Sequence, residues 1–125
     1  MILDTNALSA FADDAPAAVA AVSRAEQVSI PVIVLGEYRY GITHSVRPRE
    51  HEEWLAKFLP FCRILEVTHK TTFWYAEIRS ELRRTGKPVP ANDAWIAALC
   101  REHNLPLLSR DQHFDRVQGL RRLTW

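Results

Sequence analysis

The sequence predicts an α/β fold in which a short central parallel β-sheet is flanked by helices on both faces. Short apolar segments alternate with stretches of helical periodicity, which is the pattern of strands joined by crossover helices. Two of these segments end directly in polar groups, at Leu3-Asp4 and at Leu108-Ser109-Arg110-Asp111. Open parallel sheets bind their ligands at this carboxyl edge. The hydrophobic content of 47% is sufficient for a core, no internal repeat is present, and we predict a single domain over residues 1–125.

The first strand is predicted to end near Asp4, and two helices follow it. Asn6 belongs to the residue types that cap helices, so we expect a short helix over residues 7–11. A second helix over residues 16–25 begins with a proline, which favours the first helical position.

The second strand, residues 28–30, leads directly into a helix over residues 31–40. Apolar side chains surround this helix almost completely, so it is predicted to be buried. Glu37 lies within it, and a buried carboxylate requires a cation, a metal or several donors. Gly36 costs about 0.5–1 kcal/mol relative to alanine inside a helix, and a close neighbour would explain its presence.

The middle of the chain is predicted to form two helices around a short third strand. Residues 49–60 are amphipathic, and residues 63–67 form an edge-like strand. Thr68 caps the next helix, which ends at Gly86, as glycine favours the left-handed cap. The buried stripe of this helix is Trp74, Ile78 and Leu82.

The last third is predicted to contain one helix and two strands. The helix begins around Asn92 and ends near residue 104. Asp93 then falls in its first turn, where the helix dipole favours an anion. Residues 105–109 form the fourth strand, a turn follows, and residues 120–125 form the last strand. If the first and fourth strands are neighbours, Asp4 and Asp111 lie side by side.

Composition excludes several classes of protein. No apolar run approaches the roughly 20 residues of a membrane helix, and the start of the chain lacks the pattern of a signal peptide. Cys62 and Cys100 are isolated, so we expect reduced core thiols in a cytoplasmic protein. The five histidines have no metal-ligand spacing, which argues against zinc. The net charge is +1. If four acidic side chains surround a bound cation, the rest of the surface is mildly basic, which suits an enzyme that acts on a polyanion.

Four acids are candidates for one site: Asp4, Glu37, Asp93 and Asp111. Carboxylates packed together repel each other, and one takes up a proton unless a cation lies between them. Mg²⁺ or Mn²⁺ matches such hard oxygen ligands. A site of this kind polarises a phosphoryl oxygen and activates water. The implied chemistry is therefore phosphodiester hydrolysis by a metal-activated water.

Four motifs along the chain carry a resemblance to a known family. They are Ile2-Leu3-Asp4-Thr5-Asn6, Gly36-Glu37, Asn92-Asp93-Ala94-Trp95-Ile96-Ala97 and Leu108-Ser109-Arg110-Asp111. In this order they resemble the PIN-domain ribonucleases, specifically the VapC-type toxins of bacterial toxin–antitoxin pairs. The resemblance implies a three-layer PIN-like fold and Mg²⁺- or Mn²⁺-dependent endonuclease activity on structured RNA such as tRNA or rRNA. It also implies homodimers and inhibition by a small antitoxin protein.

The same resemblance assigns roles by position. Asp4, Glu37, Asp93 and Asp111 match the family's acidic quartet, which binds the metal and is catalytic. The matches to its polar supporting residues are Thr5, Asn6, Asn92 and Ser109. His113 stands where many relatives have a further acid.

Simpler roles stay open for individual residues. Asp93 can be a first-turn acid that stabilises the helix dipole, and Asp111 can be a turn residue. Glu37 can pair with Arg39 or another arginine. His113 is either a surface residue or a substrate contact.

Basic side chains around the predicted site are candidate RNA phosphate contacts, although each is equally explained as a solvated surface charge. They are Arg79, Arg83, Arg84, Lys87, Arg110 and Arg116. Helices that carry Trp and Tyr are the predicted dimer interface. Two other functions remain as alternatives. The first is a phosphoryl-transfer signalling or phosphatase domain, but a phosphatase of this kind would have an acid at the position of Asn6. The second is a catalytically idle RNA- or protein-binding module, and the presence of the four acids argues against it.

Overall fold

The computed structural model describes residues 1–125 and contains a five-stranded sheet in which every neighbouring pair of strands is parallel. The strands are β1 (Ile2–Leu3), β2 (Val28–Pro31), β3 (Cys62–Leu65), β4 (Leu107–Leu108) and β5 (Arg122–Leu123). Their order across the sheet is β3-β2-β1-β4-β5. The predicted parallel sheet is confirmed, and β3 is an edge strand as expected.

Six α-helices connect and cover these strands. They are α1 (Thr5–Ala12), α2 (Pro16–Ser23), α3 (Val32–Thr43), α4 (Pro48–Phe58), α5 (His69–Thr85) and α6 (Ala91–His103). Short 3-10 turns occupy Leu59–Phe61 and Gln112–Arg116. None of the helices combines the length and apolar character that a bilayer crossing needs.

The central position of β1 determines where the functional edge lies. Leu3 pairs with Leu108 of β4, and both leucines are buried. Asp4 and Ser109 therefore leave adjacent strands at the same carboxyl edge. The condition under which Asp4 and Asp111 would lie at the same edge, that the first and fourth strands are neighbours, is therefore met.

The cap of α1 is Asp4, so the prediction that Asn6 caps it was wrong. Asp4 has an extended backbone, and its Oδ1 accepts a hydrogen bond from the N–H of Ala7 at 2.7 Å. The helix begins at Thr5, which leaves Asn6 exposed within the first turn. Helix α6 begins at Ala91, as the predicted start around Asn92 implied, and Pro90 precedes it.

The strands are shorter than predicted at their ends. The fourth strand has two residues instead of the predicted 105–109, and the last has two instead of 120–125. Strand length in a sheet depends on a hydrogen-bonded neighbour as well as on β-propensity. β1, which pairs with β4, is itself two residues long, so the ladder ends there.

The prediction that the helix after β2 is buried on all sides was also wrong. α3 buries one face, formed by Val34, Leu35, Tyr38 and Ile42. Gly36 is exposed, and a Cβ there would meet no atom within 4 Å. The prediction of a fully buried helix failed because apolar residues such as Val32 also lie on the exposed face.

Helices α5 and α6 pack as a pair, and α6 is the helix that carries Asp93 at the edge of the sheet. α5 begins with a capping box between Thr68 and Thr71 and ends at Gly86, whose φ is +64°. Ile78 and Leu82 are buried as predicted. In α6 a continuous buried run follows the first turn, and the core cluster includes it. This packing anchors the first turn of α6, where Asp93 lies.

The two cysteines are free. Cys100 is buried, and burial raises the pKa of its thiol to about 12. Cys62 is partly buried, and the same cause raises the pKa of its thiol to about 11. Both therefore stay protonated at neutral pH, as inert core thiols do.

Candidate metal centre at the carboxyl edge of the sheet

Four acids from distant parts of the chain meet at this edge. Asp4 follows β1, Asp111 follows β4, Glu37 projects from α3, and Asp93 lies in the first turn of α6. Burial raises the pKa of Asp93 to about 6, with further increases from the charges of Asp111, Glu37 and Asp4. Because charge effects fall with distance, the acids lie near enough to one another for their charges to act on Asp93.

Asp4 is the most buried of these acids, with 5% of its surface exposed. Burial raises the pKa of its carboxyl above the ordinary value, and hydrogen bonds from Ser109 and from the N–H of Ala7 lower it. The charges of Asp111 and Glu37 raise it further. The carboxylate is therefore oriented by donors on one side and crowded by negative charge on the other.

Asp93, Asp111 and His113 form the tightest group. Each offers one potential ligand atom, and these atoms lie within 4.8 Å of one another. Nδ1 of His113 is 2.8 Å from Oδ1 of Asp111, and the backbone N–H of His113 donates to the same oxygen at 2.9 Å. The position of His113 in this group was not assigned from the sequence, although its spacing from Asp111 pointed to it.

Two of the four predicted supporting residues contact the acids directly. The Thr5 hydroxyl donates to Oε1 of Glu37 at 3.0 Å. Ser109 is fully buried, and its Oγ accepts a hydrogen bond from the N–H of Asp111 at 2.9 Å. Asn6 and Asn92 are exposed in the first turns of their helices.

The simpler explanation offered for Glu37 does not hold. Arg39 forms its ion pair with Glu52 at 3.0 Å, and Glu37 instead accepts from Thr5. Asp115, by contrast, is a surface acid that pairs with Arg122 at 2.8 Å.

The basic residues lie in two settings. Arg79 and Arg83 line a pocket of about 570 Å³ that extends to Gly86 and Pro88, just before α6. Arg110 instead donates two hydrogen bonds to the carbonyl oxygen of Trp125 and stacks on its ring. Arg116 donates to the carbonyl oxygen of Pro88 at 2.7 Å.

Trp95, for which the sequence suggested no role, stacks on Tyr75 with ring centroids 3.8 Å apart.

The donor set of this edge fits a divalent cation. The charges of neighbouring acids raise the pKa values of Asp4 and Asp93, and an ion among the carboxylates would remove that repulsion. Carboxylate oxygens suit Mg²⁺ and Mn²⁺. The residues whose ligand atoms lie close enough to share an ion are Asp93, Asp111 and His113. Asp4 and Glu37 lie outside this group, although their charges act on Asp93.

A parallel α/β domain with this acidic edge is the arrangement of a PIN domain. The family model described as PIN domain matches residues 1–120. The chain belongs to the PIN-domain family, in the branch of the VapC ribonucleases.

Two curated relatives illustrate the similarity. Ribonuclease VapC2 of Rickettsia felis is 31% identical over 99 residues, which cover 78% of this chain and 74% of that one. The tRNA(fMet)-specific endonuclease VapC of Shigella flexneri is 29% identical over 127 residues, which cover 99% and 96% of the two chains.

Solved structures of relatives agree with the fold. The crystal structure of VapBC2 from Rickettsia felis, bound to a DNA fragment from its promoter, contains a chain that aligns with a TM-score of 0.89 and 27% identity. The alignment covers 99% of this chain and 97% of that chain. The predicted three-layer PIN-like fold and the family resemblance are therefore confirmed.

Proposed function

We propose that this protein is a metal-dependent endoribonuclease that hydrolyses RNA phosphodiester bonds and serves as the toxin of a bacterial toxin–antitoxin pair. The observation that carries the proposal is the meeting of Asp4, Glu37, Asp93 and Asp111 at one edge of the sheet, where burial and like charge raise the pKa of Asp93 to about 6. The relatives named as VapC ribonucleases support the same chemistry and the same biological role.

In this proposal the four acids hold Mg²⁺ or Mn²⁺ and are the catalytic residues. When bound, the cation activates water and offsets negative charge at the phosphoryl group. The Thr5 hydroxyl orients Glu37 through their hydrogen bond. Ser109 orients Asp4 and also accepts from the N–H of Asp111. Such supporting contacts pre-position ligands and limit their reorganisation.

His113 lies at the rim of the site. Its ring is about half exposed, and Nδ1 contacts Asp111 at 2.8 Å. This contact can hold the carboxylate of Asp111 in place. We propose it as a positioning residue for Asp111 that also faces substrate.

Metal removal tests the function directly. The purified protein should cleave a structured RNA such as total tRNA with Mg²⁺ or Mn²⁺, and the reaction should stop on addition of EDTA. Activity should return when excess Mg²⁺ is added, because EDTA removes the ion without changing the carboxylates that bind it. Measuring product ends on a denaturing gel separates internal cleavage from trimming. Undiminished cleavage in EDTA would contradict the proposal.

Arg83, Arg84, Lys87 and Arg110 are proposed as contacts to RNA phosphates. The first three are exposed at the end of α5 and in the loop before α6, close in sequence to the first turn that carries Asp93. Arg110 is partly engaged by Trp125, so we expect the smallest contribution from it.

Replacing Arg83 and Lys87 by alanine should weaken RNA binding mainly at low salt. Each lost phosphate contact should reduce the slope of log affinity against log salt by about 0.7 for single-stranded RNA. Binding by an Asp4→Asn protein, measured with fluorescent RNA over a salt series, gives the slope without cleavage. Lys57→Ala, an exposed cation on α4, is the matched control. Equal slopes for all variants would remove these residues from the interface.

The partner proteins are proposed from the relatives. Several similar structures are VapBC toxin–antitoxin complexes, so we propose a small cognate antitoxin as inhibitor, in the cytoplasm where RNA substrates are found. We also propose a homodimer that uses helices with exposed aromatic rings, such as Tyr40 on α3 and Phe73 on α5. Sedimentation at high concentration that shows only monomer would contradict the dimer. An antitoxin encoded by a neighbouring gene should co-purify with the protein and block RNA cleavage.

A further inference from the structure

We infer that a polar pocket beside Glu37 binds one nucleobase next to the bond that is cut and prefers a base that carries an amino group. This inference rests on the proposed ribonuclease function. We call this feature the base pocket; its lining includes Thr5, Ser9, Asp13, Glu37, Tyr38 and His51. It comprises about 290 Å³, at the lower end of small-molecule sites, which suits a single nucleoside.

The base pocket is continuous with the acidic site. Glu37 and Thr5 line it, and the same two residues are joined by the hydrogen bond that orients Glu37. A group in the pocket therefore lies directly beside a proposed metal ligand. In RNA the group closest to a phosphate held there is the nucleoside on one side of it.

Tyr38 provides an independent indication of a ligand. Its side chain is packed among core residues, with 7% of its surface exposed and its ring 6.3 Å from that of Trp54. Its hydroxyl is buried and has no hydrogen-bond partner in the protein, although the residue lines the base pocket. Buried hydroxyl groups are normally paired. The hydroxyl itself has almost no accessible surface, so the proposed contact requires the ring to shift toward the pocket, where a base edge would supply the missing partner.

The charge of the lining distinguishes a base from a phosphate. Asp13 and Glu37 are acids, and neither arginine nor lysine lines the pocket. A phosphate would be repelled here, whereas a neutral base is not. Amino groups of adenine, cytosine and guanine can donate to a carboxylate such as Asp13, whereas the only donor on the base edge of uracil, its N3–H, lies between two carbonyl oxygens that a carboxylate repels. His51 offers a ring for stacking, which is a common contact to bases splayed out of an RNA loop.

Sequencing of cleavage products tests the inference. The probe is a hairpin RNA with a randomised loop, cut by the full-length protein with Mg²⁺ or Mn²⁺. We expect uracil to be at least about tenfold under-represented at one nucleotide flanking the cut, the size of one charge-assisted hydrogen bond. Asp13→Asn and Tyr38→Phe should reduce this discrimination to about twofold while cleavage continues.

A third variant fills the base pocket. Gly41 lines it, and a Cβ at this position meets no atom within 4 Å. Gly41→Leu should therefore fold and remove the preference by occupying the space. The matched control is Asp14→Asn, which removes a neighbouring exposed charge. Thermal unfolding of each variant checks that the fold is intact.

Three results would overturn the inference. The wild-type protein could show no preference at either flanking nucleotide, or the pocket variants could retain the wild-type preference. The variants could also cleave as the wild type does but require more antitoxin for inhibition, which would assign the pocket to the antitoxin. If the wild-type protein cuts no RNA in the pool with either metal, the ribonuclease proposal itself fails, and the inference fails with it.

Discussion

Asp4→Asn is expected to reduce RNA cleavage by at least about a hundredfold while the fold remains intact. Loss of a group that only orients a metal ligand commonly costs about 10–100-fold in activity, and Asp4 is proposed as a direct ligand. The Asp4 side chain is buried, with 5% of its surface exposed, so a water molecule or a surface side chain cannot easily take the place of its carboxylate. Initial rates on one RNA with saturating Mg²⁺ measure the effect.

Asparagine is the informative replacement because Asp4 has two roles. Its Oδ1 caps α1 through the N–H of Ala7 at 2.7 Å, and loss of such a cap costs about 0.5–2 kcal/mol of stability. Alanine would remove both the cap and the charge, whereas asparagine keeps an oxygen for the cap. The midpoint of thermal unfolding in EDTA should therefore not be lowered in Asp4→Asn, because the cap is kept and burial disfavours the charged form that asparagine replaces.

Asp14→Asn is the matched control for this prediction. Asp14 is exposed and has a φ of +56°, a conformation that asparagine also tolerates. Its replacement removes one negative charge without touching the acidic site, so cleavage should stay within about twofold of the wild-type rate. Cleavage by Asp4→Asn at the rate of this control would contradict the assigned site.

Asp93→Asn is expected to stabilise the metal-free protein above neutral pH and to abolish stabilisation by Mg²⁺. The pKa of Asp93 is raised from 3.8 to about 6, first by burial and then by Asp111 and Glu37. A raised pKa means that the ionised form is disfavoured in the folded state. The stability contributed by the protonated acid is therefore fully present below pH 3.8 and is lost as the pH rises through about 6.

The measurement is thermal unfolding in EDTA and in Mg²⁺ between pH 5 and pH 8. At the upper pH, asparagine should raise the free energy of unfolding of the EDTA-treated protein by on the order of 1 kcal/mol, after allowance for solvent screening at this half-buried site. That gain corresponds to a midpoint shift of about 3–5 °C. Mg²⁺ should raise the midpoint of the wild type but not that of Asp93→Asn.

Asp115→Asn is a control of opposite sign. The pKa of Asp115 is lowered by its hydrogen bonds to Arg122, so neutralising it gives no stabilisation at high pH. If Asp93→Asn behaved like Asp115→Asn in EDTA, the acids would not repel each other in the folded protein. The proposed metal site would then lose its electrostatic basis.

The order of elements and the residues at their ends were predictable because they depend on local chemistry. Asp93 was placed in a first helical turn, and Gly86 at a left-handed helix end, from capping and dipole preferences that act over one turn. Both placements agree with the structure. The cap of α1 was assigned to Asn6, but Asp4 forms it. Which residue precedes the helix depends on where the backbone leaves β1, and residue propensities do not give that position.

The sequence by itself determined the alternation of strands and helices, the identity of the acids and their positions at strand and helix ends, because these follow from short-range periodicity and residue chemistry. Only the tertiary structure decided which strands are neighbours, how short they are, and that α3 buries one face. It alone joined Thr5 to Glu37 across 32 positions of the chain. Contacts of this kind depend on packing between distant segments, which local preferences do not encode.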